Sequence, residues 1–146
     1  MARDETQVKK DMTKKEYIKA NHAWLAAKAK EEGVKKLGPG VYAKVIEQGD
    51  AAGPNPTPGS VVTAHYTGRT IDGKTFDTSR SEAEAVAPAF RVRDLIDGWQ
   101  TALVNMRPGD KWEVYVAAEA GYGNYSQPGI PGGSTLIFEI ELVSVA

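Results

Sequence analysis

Residues 135–143, Thr-Leu-Ile-Phe-Glu-Ile-Glu-Leu-Val, alternate Leu136, Phe138, Ile140 and Leu142 with Ile137, Glu139, Glu141 and Val143. A period of two puts each set on its own face of a strand, and the glutamates leave the second face to water. One-sided burial of this kind is the mark of an antiparallel sheet covered on a single face. The same texture recurs upstream. Residues 60–67 set Val62, Ala64 and Tyr66 against Val61, Thr63 and His65, and residues 111–117 turn Trp112, Val114 and Val116 inward. Residues 41–47, 75–79 and 90–92 are shorter runs of the same kind, separated by turn residues such as Asp72-Gly73 and Arg107-Pro108-Gly109-Asp110. Pro- and Gly-rich stretches at 51–59 and 121–133 read as loops, and 80–88 as an irregular segment. Only residues 95–104 suit a helix, with Gly98 lowering its propensity. There is no repeat and no βαβ rhythm. The expectation is an α+β domain over 41–146, a twisted antiparallel β-sheet wrapped around one short α-helix.

Ahead of it, residues 1–40 read as an N-terminal helical arm. Thr13-Lys14-Lys15-Glu16 has the form of a capping box, and Ala-, Lys- and Glu-rich sequence predicts a helix over 13–32 stopped by Gly33. Tyr17, Ile18, Trp24 and Leu25 form a narrow apolar stripe that would dock on the following domain or on a second copy of the chain, since an isolated helix of this length is marginal in water. Residues 1–36 carry 10 Lys+Arg against 6 Asp+Glu, while 37–146 carry 8 against 13. Lysines interleaved with glutamates read as a solvated helix face, so no nucleic-acid partner is expected.

At 146 residues, 41% apolar and 25% charged, the composition is that of one globular domain with an appendage. No apolar run approaches the eighteen or so residues of a membrane span. Residues 1–10 are polar and lack a secretory leader's apolar stretch, which points to the cytoplasm, or to the periplasm where a leader has been removed. Without cysteine there is neither disulfide nor thiolate chemistry, and His22 and His65 stand too far apart, with no carboxylate at ligand spacing, to suggest a metal. The nucleophile elbow, the phosphate-cradling glycine loop and the dinucleotide fingerprint are all missing, so no cofactor is expected. Asn124-Tyr125-Ser126 matches a glycosylation acceptor, a triplet common by chance.

What stands out is aromatic density beside loops: Tyr66, Phe76, Phe90, Trp99, Tyr122 and Phe138. A plain core would account for Phe90 or Phe138. Tyr66, however, ends a strand, Trp99 follows a glycine within the helix, and Tyr122 lies between two glycines of a loop, positions that favour a pocket.

In order and spacing, His65-Tyr66-Thr67-Gly68, Asp72-Gly73-Lys74-Thr75-Phe76-Asp77-Thr78-Ser79, Leu95-Ile96-Asp97-Gly98-Trp99, the Met106 to Gly109 turn, Tyr122-Gly123 and residues 134–142 resemble the FKBP-type peptidyl-prolyl isomerases across 41–146. The junction over 26–47 is similar to the bacterial Mip-like branch, whose longer helical region makes dimers. The resemblance implies a prolyl cis/trans isomerase, or a catalytically weak peptide-binding or chaperone module using the same groove. It implies Trp99 as the floor under a proline ring, with Tyr66, Phe76, Leu95, Ile96 and Phe138 as walls, Phe90 beside them and Ile130 overhanging the rim. The Ile96 N–H and the Tyr122 hydroxyl would donate to substrate carbonyls. Asp77 would bias the local field, or simply cap a turn. Proline-containing peptides, unfolded protein clients and macrolide inhibitors are the implied ligands, and a homodimer through the N-terminal helix the implied assembly. Three departures bear on ligand preference. Pro88-Ala89-Phe90 has one aromatic where many relatives have two, Gly132-Gly133 stands in place of a double proline, and Gly121 replaces the usual alanine.

Overall fold

A computed structural model describes residues 12–146; the polar stretch at 1–10 lies outside the described residues. The capping box forms as expected: the Glu16 N–H donates to Thr13 Oγ1 at 3.1 Å and the Thr13 N–H to Glu16 Oε1 at 3.3 Å. Helix α1 runs Lys14–Lys28. It stops short of the expected Glu32, because the N–H groups of Lys30, Glu31 and Val34 bond three residues back and tighten the chain into turns. Gly33, at φ 84°, takes the left-handed turn into a strand instead of ending the helix.

That strand, β1 Val34–Gly38, is absent from the sequence reading. Val-Lys-Lys-Leu-Gly shows no alternation, yet it pairs antiparallel with β2 Val41–Glu47, Lys36 opposite Tyr42. It lies at the sheet edge, and its two exposed lysines are a common guard against edge-to-edge association.

Further along come β3 Val61–Arg69, β4 Thr75–Thr78, β5 Ala89–Arg91, a 3-10 turn at Val92–Asp94, helix α2 Asp97–Leu103, β6 Lys111–Val116, a second 3-10 turn at Ala118–Ala120, and β7 Leu136–Val145. The helix is shorter than the expected 95–104. Gln100 reaches back to donate to Leu95 O at 2.7 Å, so Leu95 and Ile96 form the corner that enters the helix.

Seven strands make one sheet in the order β1-β2-β6-β7-β3-β4, with β5 on the other half of the β3 edge. Every pairing is antiparallel. The inward rows read from the sequence are the buried ones: Val62 and Ala64, Trp112, Val114 and Val116, and Leu136, Phe138, Ile140 and Leu142 pack with Trp99, Ala102 and Leu103 of α2. On the outward row, Lys111 of β6 pairs with Glu139 of β7 at 3.3 Å, and Arg80, just past β4, pairs with Glu141 of β7 at 2.6 Å.

One loop anchor escaped the sequence reading. The buried carboxylate of Asp110 accepts the Gly49 N–H at 2.6 Å and the Arg107 N–H at 2.8 Å, joining the β2–β3 connection to the turn before β6. The face of α1 is engaged within the chain: Tyr17 is buried, Trp24 meets Tyr115 edge-on at 5.8 Å between centroids, and Asn21 is wholly buried. No helix of the described residues is long and apolar enough to cross a membrane.

Candidate active site

The wall of the site begins within β3, three residues before its end. Tyr66 is fixed there because its N–H donates to Ser79 Oγ at 2.8 Å and its carbonyl accepts the Ser79 N–H at 2.9 Å, just past β4. Its ring points to the concave side, meeting Trp99 at 5.1 Å and Phe90 at 6.0 Å. Trp99 in turn meets Phe90 at 5.6 Å and Phe138 at 5.5 Å, and Phe138 meets Phe76 at 5.7 Å. All these contacts are edge-to-face, the arrangement ring quadrupoles prefer. A Cβ at Gly68 would lie 2.6 Å from Phe76 Cζ and 2.7 Å from Phe138 Cε1, so only glycine lets those two rings close up behind the cleft.

Between the rings lies an open cleft of about 310 Å³ lined by Tyr66, Phe76, Asp77, Phe90, Asp94, Leu95, Ile96, Trp99, Tyr122 and Phe138. Trp99, only 5% exposed, is one of the lining side chains. Nine of the ten residues singled out from the sequence therefore meet here. Ile130 does not: it is 6% exposed, packs with the core and borders a separate depression with Lys74 and Gln127. The reason is local. Gln127 and Ile130 exchange backbone hydrogen bonds at 2.9 and 2.8 Å, and the isoleucine at that tight turn is buried in the core.

Asp94 is the lining residue that sequence reasoning missed. Its only signal is its place immediately before Leu95 and Ile96, at the end of the 3-10 turn.

Polar groups are few and specific. The Tyr66 hydroxyl donates to Asp77 Oδ2 at 2.7 Å. Burial first, then the hydrogen bond to Asp77 and its negative charge, push the Tyr66 phenol up to about 12, so it stays protonated at neutral pH. The Ile96 carbonyl accepts the Trp99 and Gln100 N–H groups at 3.0 and 3.1 Å, while its own N–H, ahead of the helix, has no acceptor among the described residues. Tyr122, 37% exposed, brings a hydroxyl from the loop opposite. Among the described residues no group of three metal-ligating side chains occurs.

The family model for the FKBP-type peptidyl-prolyl cis-trans isomerase matches residues 53–143, and the chain belongs to that family. It is 39% identical to the peptidyl-prolyl cis-trans isomerase Mip of Coxiella burnetii over 126 residues, 86% of this chain and 53% of that one. It is also 39% identical to the outer membrane protein MIP of Legionella longbeachae, over 84% of this chain and 52% of that protein. A crystal structure of a peptidyl-prolyl cis-trans isomerase from Pseudomonas syringae pv. tomato superposes with a TM-score of 0.82 at 33% identity, covering 93% of this chain and 98% of the other. The chain thus spans about half the length of the curated relatives it matches.

Proposed function

We propose that the chain accelerates rotation about X-Pro bonds in peptides and folding proteins. The observation that carries this reading is a cleft lined by six aromatic side chains, the Trp99 indole among them, and by no cysteine, serine, threonine, lysine or histidine. The X-Pro amide relaxes over tens to hundreds of seconds against a barrier of about 18–20 kcal/mol. Bringing a ten-second process to a millisecond requires lowering that barrier by about 5.4 kcal/mol. No bond need break. The planar amide is polarised by resonance and favours water, whereas the twisted transition state has lost resonance and separates less charge. A water-poor aromatic cleft therefore disfavours the ground state more than the transition state.

In this reading Trp99 supports the proline ring, with Tyr66, Phe76, Leu95, Phe90 and Phe138 around it. The Ile96 N–H and the Tyr122 hydroxyl hold the substrate backbone on either side of the rotating bond, which fixes the axis of rotation. Asp77 keeps the Tyr66 hydroxyl turned toward itself and places negative charge beside the amide nitrogen as that nitrogen pyramidalises. Proline-containing peptides and unfolded clients are the substrates, and macrolides are ligands of the same cleft. The name of the Legionella relative supports the cell envelope over the cytoplasm. Dimerisation through α1 has less support, since its apolar face is occupied within the chain; sedimentation of the intact chain tests it, a dimer removing that view.

The deciding measurement is isomerisation of a short X-Pro peptide with and without a macrolide. Acceleration abolished by the macrolide is the expected result. Relaxation at the uncatalysed rate with peptide binding intact would leave a peptide-holding module instead.

A further inference from the structure

The loop that carries Tyr122 is tied to the arm. The Asn21 Oδ1, wholly buried, accepts the Thr135 N–H at 2.7 Å, while its Nδ2 donates to Tyr17 O at 2.8 Å and so fixes which way the amide faces. One turn earlier on the same face, the Tyr17 hydroxyl lies 2.8 Å from Ser134 Oγ. Because the Ser134 hydroxyl is directed to Pro131 O at 2.6 Å, the Tyr17 phenol is the donor in that pair. Ile18 completes the clasp: a Cβ at Gly133, where φ is 84°, would meet Ile18 Cγ1 at 2.4 Å.

All these contacts fall on residues 131–135, the descending end of the loop. That end is bonded to the ascending one, since the Gly133 N–H donates to Gly123 O at 2.9 Å, one residue beyond Tyr122. Beside the clasp, Ile18 and His22 of the arm line a crevice of about 290 Å³ together with Gly123, Asn124 and Gly133 of the loop. The arm therefore reaches Tyr122 through the buried clasp and the Gly133–Gly123 bond. Another anchorage, Trp24 on Tyr115, sits on the outer face of the sheet.

We propose that Tyr17 and Asn21 are positioning residues for isomerisation: by fixing residues 131–135 they set the Tyr122 hydroxyl at the cleft, so that a displaced arm weakens peptide binding. The proposal rests on the isomerase reading for its kinetic consequence, though not for the coupling of arm to loop. Removing the Asn21 amide leaves the Thr135 N–H buried without an acceptor, a loss large enough to open the loop.

The test is a double-mutant cycle in the full chain. Asn21→Ala is expected to raise KM for an X-Pro peptide about threefold with kcat little changed, and to add nothing in a Tyr122→Phe background. Tyr17→Phe, which deletes a single oxygen and spares the fold, should act in the same direction more weakly. Trp24→Ala should leave KM within about twofold, because it loosens the arm away from the clasp. An equal rise in KM with and without the Tyr122 hydroxyl would mean a merely structural role and overturn the proposal, as would no rise at all. Hydrogen exchange without substrate separates the two readings. Asn21→Ala should speed exchange of the Ile130 and Gly133 amides about tenfold even in a chain that fails to isomerise peptides, and unchanged exchange would overturn the coupling itself.

Discussion

Two groups of aromatic rings in this chain meet opposite fates. On the outer face of the sheet, Tyr115 is covered by Trp24 of the arm, with the Lys28 ammonium 5.2 Å from one ring and 5.4 Å from the other. On the concave face, Tyr66, Phe76, Phe90, Trp99 and Phe138 pack edge-to-face around a cleft that no segment of the described chain covers. Each group holds one tyrosine whose hydroxyl donates to a carboxylate, Tyr115 to Glu113 at 2.8 Å and Tyr66 to Asp77 at 2.7 Å. The local chemistry is alike and the covering differs. Since the chain closes one aromatic surface with its own helix, the open one is not a failure of packing. It is an open concavity with a few polar groups converging on it, the form that ligand sites commonly take.

The largest break in that contrast is expected from Trp99→Leu, which removes the floor and should reduce kcat/KM about tenfold, while Trp24→Ala on the covered side should leave kcat/KM within about twofold and lower stability by about 2 kcal/mol instead. Peptide isomerisation and denaturant titration of both variants check the pair. Next, Tyr66→Phe or Asp77→Asn should lower kcat/KM about threefold, since the first removes the hydroxyl that donates to Asp77 and the second the charge it points at. If the two effects simply added in the double variant, the residues would be acting independently.

A smaller effect sharpens the comparison through pH. Burial and then the neighbouring carboxylate raise both the Tyr66 and Tyr115 phenols above the ordinary tyrosine value of about 10, Tyr66 to about 12. A raised folded-state value means folding favours the neutral phenol. The stabilisation is complete below pH 10, where both folded and unfolded phenols are neutral, and is lost as pH rises toward 12 because the unfolded chain ionises first. The denaturant midpoint should therefore hold steady from pH 7 to 9 and fall by pH 11, less steeply in Tyr115→Phe. The least effect is expected from His65→Ala. His65 faces outward and its Nδ1 pairs with Ser79 Oγ at 2.9 Å, so kcat/KM should stay within about twofold of the parent. A loss matching that of Trp99→Leu would undo the assignment of the cleft.

How much of this was legible in the sequence depends on whether a residue's neighbours impose a period. β3, β6 and β7 each bury one face, and alternation displays that directly. β1 lies at an edge with lysines outward, so its pairing with β2 leaves no trace in hydrophobicity. The cleft was readable because a motif spread over four elements names its rings in order. Asp94, an exposed acid of ordinary appearance, is signalled only by its place before Leu95 and Ile96, and the burial of Ile130 depends on the turn it makes with Gln127, which hydrophobicity does not report. Asn21 was the overlooked clue: a polar side chain four residues after Tyr17 and three before Trp24 falls within the helix's apolar stripe, where burial demands a hydrogen-bond partner.

One strand serves two neighbours on the same edge. β4 pairs with the far half of β3, Thr67 opposite Thr78, and β5 with its near half, Val62 opposite Phe90. The segment between them, residues 80–88, leaves β3 and rejoins it, so it is a side branch whose length is not set by any ladder. Enlarging such a branch adds closure entropy only logarithmically, about 0.6 kcal/mol for each doubling. Its two roots stand next to Tyr66 and Phe90, at the mouth of the cleft. Foreign recognition segments grafted there would meet the peptide as it enters while the sheet beneath kept its register, which makes this the place where the selectivity of the scaffold is open to rewriting.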